Sequence, residues 1–174
     1  MPRIHVCSLS RLPQIVAESG AGHLVTIINK GTPVTRPNVI REERHLYIGV
    51  SDIVAEQEGH ILPAEAHVGA LLGFVEDWDR RHQRDTPLLI HCWAGVSRST
   101  AAAFIGACAL DPRRDEQEIA AAIRRDSPTA TPNARLVAVA DAMLGRKGRM
   151  SAAIASIGRG ADCFEGVPFA LALD

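Results

Sequence analysis

The chain has 174 residues, 47% of them hydrophobic and 22% charged, enough for one domain to bury a core without disulfide staples. A net charge of −1 gives no reason to expect nucleic acid or an anionic membrane surface as a partner, and no apolar run is long enough to span a bilayer. The four cysteines (Cys7, Cys92, Cys108 and Cys163) lack C-x-x-C spacing and form no zinc pattern with the seven scattered histidines, which points to free thiols in a reducing, cytoplasmic setting without a secretory leader.

Residues 4–9 read as a short strand, and Ser10 offers an N-cap for a helix through Leu12, Ile15 and Val16 that stops near Gly20. The run 23–28 is continuous and β-branched, as expected of a strand covered on both faces. Residues 29–43, with Gly31, Pro33 and Pro37, form a loop; 44–50 is a third strand ending at Ser51-Asp52. Pro63 suits the first turn of a helix in which Val68, Leu71, Leu72, Val75 and Trp78 make an apolar stripe to about His82. A fourth strand covers 87–91. The helix expected over 97–110 is apolar or small nearly all round and therefore central. Asp115 with Glu118 resembles a capping box for another helix, and Thr131-Pro132 opens one more, stopped by Gly145.

Strands alternating with helices imply an α/β fold: a central, mostly parallel sheet of four to five strands flanked by helices. We expect a catalytic domain over 1–145 and, over 146–174, an extension packed on it as a short helix followed by an irregular segment. Ligands of such sheets bind beyond the carboxyl ends of the strands. The stretches 8–10, 29–30, 51–52 and 92–97 all leave those ends and should share one rim.

On that rim, residues 91–99 read His-Cys-x-x-Gly-x-x-Arg-Ser between a strand and a helix. A strand-to-helix turn converges backbone N–H groups and a helix N-terminus on one point, an environment that favours an anion and lowers a thiol pKa. Gly95 removes a Cβ where the backbone bends or approaches a ligand, and the Arg98 fork can clamp two oxygens of a phosphate. Cys92 is thus the candidate nucleophile; Cys7, Cys108 and Cys163 read as buried core residues.

This stretch closely resembles the signature of the cysteine-dependent protein tyrosine and dual-specificity phosphatases, and the order of elements over about residues 1–145 is similar too. The resemblance implies a protein tyrosine phosphatase-like fold and a phosphate monoester hydrolase acting through phosphocysteine, with no metal and no cofactor. Its substrate would be a phosphorylated protein or a small phosphoester. It implies Cys92 as nucleophile, Arg98 as transition-state clamp, Ser99 as hydrogen-bond donor to the leaving sulfur, and Trp93, Ala94, Gly95, Val96 and Ser97 as the phosphate cradle. His91 would orient the loop.

A general acid should come from another loop on the same rim, and the resemblance implies an Asp from a loop upstream of the cysteine. Asp52 fits by topology, with Glu56 and Glu58 as alternatives; Asp77 and Asp79 fall on a helix surface. Asn133 is either a brace for the loop or a first-turn residue. Lys30, Arg36 and Arg41 read as solvated loop charges, and Arg146, Lys147 and Arg149 as helix C-terminal cations. The resemblance also weighs against a polyphosphorylated inositol lipid as substrate, because relatives that act on such lipids tend to place lysines between the cysteine and the arginine, and residues 93–97 carry none. Two alternatives stay open: a phospho-ligand-binding module without turnover, and a rhodanese-like sulfurtransferase, whose loop spacing differs.

Overall fold

A computed structural model describes residues 3–173. Four parallel strands, β1 (Arg3–Ser8), β2 (His23–Ile28), β3 (His45–Gly49) and β4 (Leu88–Cys92), are joined by a fifth, β5 (Phe169–Ala172), in the order β3-β2-β4-β1-β5. β5 runs antiparallel along the outer edge of β1. The two continuous apolar runs take the interior: β2 and β4 pair from His23↔Leu88 to Thr26↔His91, and every residue of both is buried. A strand apolar on both faces is stable only where both faces are covered.

The covering is unequal. On one face lies α1 (Leu12–Ser19), packing Leu12, Ile15 and Val16 on Cys7, Leu24 and Leu89. The opposite face carries α2 (Glu65–Arg80), α3 (Arg98–Leu110), α4 (Glu116–Asp126), α5 (Ala134–Met143) and α6 (Arg149–Ile157). Their core includes Ile4, Val6, Val25, Ile27, Leu88, Ile90, Trp78 and Phe104. α3 is buried from Arg98 to Cys108, as its all-round apolar sequence requires, and sits at the centre of this layer.

Several expectations need correction. Ser10 does not cap α1: the first helical residue follows Arg11, whose N–H is accepted by Ser8 Oγ, and Ser10 turns to a distant carboxylate instead. Pro63 precedes α2 rather than entering it; the helix starts after Ala64, whose N–H donates to His67 Nδ1 at 3.0 Å. The end of the chain is not wholly irregular. Residues 158–168 form an extended strap, but Phe169–Ala172 is a strand, because β1 leaves an edge that four backbone groups can satisfy. Cys163 lies in the strap and is exposed, whereas Cys7 and Cys108 are buried. Arg146, read as a helix C-terminal cation that needs no partner, has one. It is buried, donating to Glu116 Oε1 at 2.6 Å and to the Cys108 carbonyl.

Candidate active site

Because β1 to β4 are parallel, their carboxyl ends meet at one edge, and β4 ends there on Cys92. The chain then turns through residues 93–97 into α3. Carbonyls along this turn face outward and are taken: Trp93 by the Leu9 N–H (3.1 Å), Ala94 by Gly166 (2.8 Å), Val96 by Thr131 (2.9 Å), Ser97 by Ala101 (3.0 Å) and Asn133 (3.1 Å). The Thr100 hydroxyl also donates to Val96, at 2.6 Å. By contrast, the N–H groups of Trp93, Ala94, Val96 and Ser97 donate to nothing among the described residues, and that of Gly95 points at Cys92 Sγ, 3.2 Å away. A loop with four of its five carbonyls bonded and four of its five N–H groups without a protein acceptor is a cradle for negative charge.

Gly95 explains how so tight a turn fits. Its φ is +71°, and a Cβ there would meet the Cys7 carbonyl carbon and the Ser8 nitrogen at 2.7 Å. Glycine is required for both reasons. Cys92 itself is 3% exposed, with Ser99 Oγ 3.1 Å from its sulfur. Arg98, buried in the first turn of α3, is fixed from behind: Nη1 donates to the Val50 carbonyl (2.9 Å) and to Asn29 Oδ1, while Nε is buried without a partner. The guanidinium is therefore anchored on one side and unsatisfied on the other.

His91 steers the loop through a buried relay. Its Nδ1 lies 3.1 Å from the Cys92 carbonyl, which can only accept, so Nδ1 carries the proton. Burial pushes the His91 pKa down to about 4, so the ring is neutral and Nε2 accepts from Thr26 Oγ1 at 2.8 Å. That hydroxyl in turn accepts from His45 Nε2, also at 2.8 Å. The direction of every proton in the chain is thereby determined.

Asp52 arrives from the end of β3. Ser97 Oγ (2.6 Å) and Asn133 Nδ2 (2.8 Å) both donate to its Oδ1, and the residue is exposed. Asn133 combines both of its sequence readings: its Oδ1 caps α5 through the Leu136 N–H, and its amide holds Asp52 and the Ile53 carbonyl. Glu56 and Glu58 are exposed and make no hydrogen bond to the loop among the described residues. Asp77 and Asp79 face Arg81 and Arg84 on the far helix. Of the loop residues, Ser97 uses its side chain on Asp52 and leaves only its N–H to a ligand, and Trp93 projects its ring into solvent.

Three contributors were invisible in the sequence. Asn29 belongs to the rim, yet nothing local marks it as the partner of Arg98. Gly166 reaches the loop from the strap, and a Cβ on it would stand 2.5 Å from the Gly95 oxygen. Glu165, beside it, accepts from Ser8 and Ser10. The only available signal was the Gly-Val-Pro end of an otherwise patternless segment.

Comparison with protein-family models and with curated proteins finds no match. Solved structures do match. DUSP15 superimposes with a TM-score of 0.62 at 16% identity, over 90% of this chain and 92% of that one. The PTP-2 phosphatase of Cydia pomonella gives 0.61 at 19% identity, over 80% and 84%. Human DUSP28 gives 0.60 at 18%, over 82% and 94%. The fold is that of the dual-specificity phosphatases. At these identities the likeness covers the fold, and the chemistry rests on the residues. No described helix of this dual-specificity phosphatase fold is long and apolar enough to cross a membrane. Among the described residues the one group spaced for a cation, His23, His82 and Asp85, lies at the opposite end of the sheet. There Arg44 Nη2 already donates to His82 Nδ1 (3.3 Å) and Asp85 Oδ2 (3.0 Å).

Proposed function

We propose that the protein is a phosphate monoester hydrolase, acting on phosphotyrosine or other phosphorylated residues of proteins or on small phosphoesters, through a phosphocysteine. The observation that carries this reading is the loop that follows Cys92, with free N–H groups and with its Gly95 N–H directed at the sulfur, together with the buried, unpartnered Nε of Arg98. A phosphoryl dianion satisfies both at once.

In the first step the Cys92 thiolate attacks phosphorus, an S–P bond forms and the P–O ester bond breaks. Asp52 passes a proton to the departing oxygen. Two donors already occupy Oδ1, so Oδ2 is the oxygen that carries this proton. In the second step the Asp52 carboxylate takes a proton from water, whose oxygen attacks phosphorus. The S–P bond breaks, and the Ser99 hydroxyl, 3.1 Å from Sγ, stabilises the returning thiolate. Gly95 and its neighbours hold the phosphate through their N–H groups, and Arg98 takes the equatorial charge. Apart from the attacking water, each group assigned a part in the two steps is a side chain or backbone N–H of this chain.

The test is turnover of p-nitrophenyl phosphate by the wild type and by Cys92→Ser. The wild type should release phosphate, and the variant should retain phosphate affinity with turnover down by at least about a thousandfold, the order expected for loss of a nucleophile that acts with its partners as a unit. Near-wild-type turnover by Cys92→Ser would remove the sulfur from the mechanism. A binding module without turnover would give tight phosphate binding and no release from either protein.

A further inference from the structure

Beside the thiol loop, on the β1 side, the surface opens into a cleft of about 420 Å³ lined by Leu9, Ser10, Trp93, Ala94, Phe164 and Glu165. Trp93 and Phe164 are large aromatic residues left in water, at 63% and 104% of full exposure. The reaction described above uses neither ring. Glu165 is an anion without a cation: Ser8 and Ser10 both donate to Oε1, and Oε2 accepts nothing among the described residues. These hydroxyls, Ser10 first, hold the carboxyl below its ordinary range, so it stays ionised. Arg11 adds a weaker attraction from nearby, without an ion pair to Glu165 among the described residues.

Two exposed aromatic faces and a free carboxylate oxygen within one cleft suit a flat cation on an aliphatic stem. The stem covers the rings, the guanidinium lies over an aromatic face, and its N–H groups reach the carboxylate. The place is as telling as the composition. Trp93 and Ala94 directly follow Cys92, and Ser8 lies opposite Cys92 in the sheet register, so a group in the cleft is attached close to the phosphate being attacked. An acidic neighbour would be repelled by Glu165. An apolar neighbour would dry the carboxylate without pairing it.

We propose that this cleft is a substrate subsite for an arginine side chain flanking the phosphorylated residue of a phosphopeptide. The proposal rests on the phosphatase reading and adds to it the class of substrate. It also assigns a task to the strap: residues 164 and 165 supply one ring and the only carboxylate of the cleft.

The experiment uses three phosphotyrosine peptides that differ only in the residues on either side of the phosphotyrosine: arginine, leucine or glutamate. With the wild type at low salt, kcat/KM for the arginine peptide should exceed that for the leucine peptide by about tenfold, equivalent to ~1.4 kcal/mol, and the glutamate peptide should be the poorest. The ratio should shrink as salt is raised, since the pair sits at an exposed rim. Glu165→Gln keeps an acceptor for both serines but removes the charge, and Phe164→Ala removes a ring that packs on nothing; each should bring the arginine-to-leucine ratio to about twofold or less. p-Nitrophenyl phosphate, which has no flanking residue, tests the phosphatase reading separately. If it is hydrolysed while the three peptides are equivalent, or while Glu165→Gln leaves the ratio unchanged, the subsite is wrong and the phosphatase stands. A leucine preference likewise overturns it. If p-nitrophenyl phosphate is not hydrolysed, titration calorimetry of the same peptides onto the wild type decides the subsite by affinity, with the same tenfold preference expected in Kd.

Discussion

Gly166→Ala is the change whose effect can be worked most directly from the geometry. The new Cβ would lie 2.5 Å from the Gly95 oxygen, 3.0 Å from the Gly95 carbonyl carbon and 3.1 Å from Val96 Cγ2. Ordinary contact begins near 3.4 Å, so the strap or the loop must give way by about 0.9 Å. The 2.8 Å bond from the Gly166 N–H to the Ala94 carbonyl cannot survive that shift. Overpacking costs about 1–3 kcal/mol and the lost hydrogen bond about 0.5–1.5 kcal/mol. A loss of roughly 2–4 kcal/mol follows, or a Tm lower by roughly 5–15 °C for a domain of this size. Freed of its bond, the Ala94 carbonyl can swing inward, so vanadate should bind less tightly as well. The assay is thermal unfolding alongside vanadate inhibition of p-nitrophenyl phosphate hydrolysis. Gly73→Ala is the control: this exposed position inside α2 has nothing within 4 Å of a Cβ, and alanine there should be neutral or stabilise by up to ~1 kcal/mol. A Gly166→Ala protein that melts with the wild type and binds vanadate equally well would show that the strap does not hold the loop.

Asp52→Asn should keep the Ser97 and Asn133 bonds, since both fall on one oxygen, and lose only the proton; kcat should drop by roughly 10²–10⁴ with phenyl or alkyl phosphates and far less with a good leaving group such as p-nitrophenol. If Glu58→Gln reproduces that pattern and Asp52→Asn does not, the acid is misassigned. Vanadate should inhibit competitively and EDTA should leave turnover intact; activity that EDTA abolishes and a divalent cation restores would refute the proposed two steps. Stability should also depend on pH through His91, which is 0% exposed and protonates only near 4 when folded. Its unfolded imidazole takes up a proton below about 6.5, so stability is lost as pH falls from there toward 4, by up to ~1.4 kcal/mol per pH unit from this residue. Chemical denaturation from pH 7 to 4 should therefore give a steeper decline for the wild type than for His91→Asn, and parallel declines would contradict the buried neutral ring.

What could be read from the sequence, and what could not, divides by range. β2, β4 and the buried α3 announce themselves through local composition, and the motif from His91 to Ser99 carries its chemistry in its spacing. The shared rim follows from the parallel strands alone, and it brings Asp52 within 2.6 Å of Ser97. The strap gave no such signal: residues 158–168 have no period, and β5 is four residues long, too short to stand out from the apolar tail around it. Glu165 and Ser8 are 157 positions apart, and no local pattern pairs a glutamate with a serine at that distance. The partner of Arg146 was hidden for a related reason. A cation after a helix looks solvated until the tertiary packing places Glu116 against it.

The strap also bears on the order in which the molecule comes apart. The bonds that hold the loop's carbonyls come from Leu9 just after β1, from Thr131 and Asn133 ahead of α5, and from Gly166 in the strap, which is pinned by a few bonds to Ser8, Ser10, Ser127 and Thr129 and ends in a four-residue edge strand. Edge strands and their connections open at lower free energy than the centre of a sheet. On warming, then, activity should fade while the helices and the central strands are still intact, with hydrogen exchange first appearing at Gly166 and along β5. Inactivation and unfolding become two separate transitions, and the gap between them measures how firmly a few distant residues grip the thiol's loop.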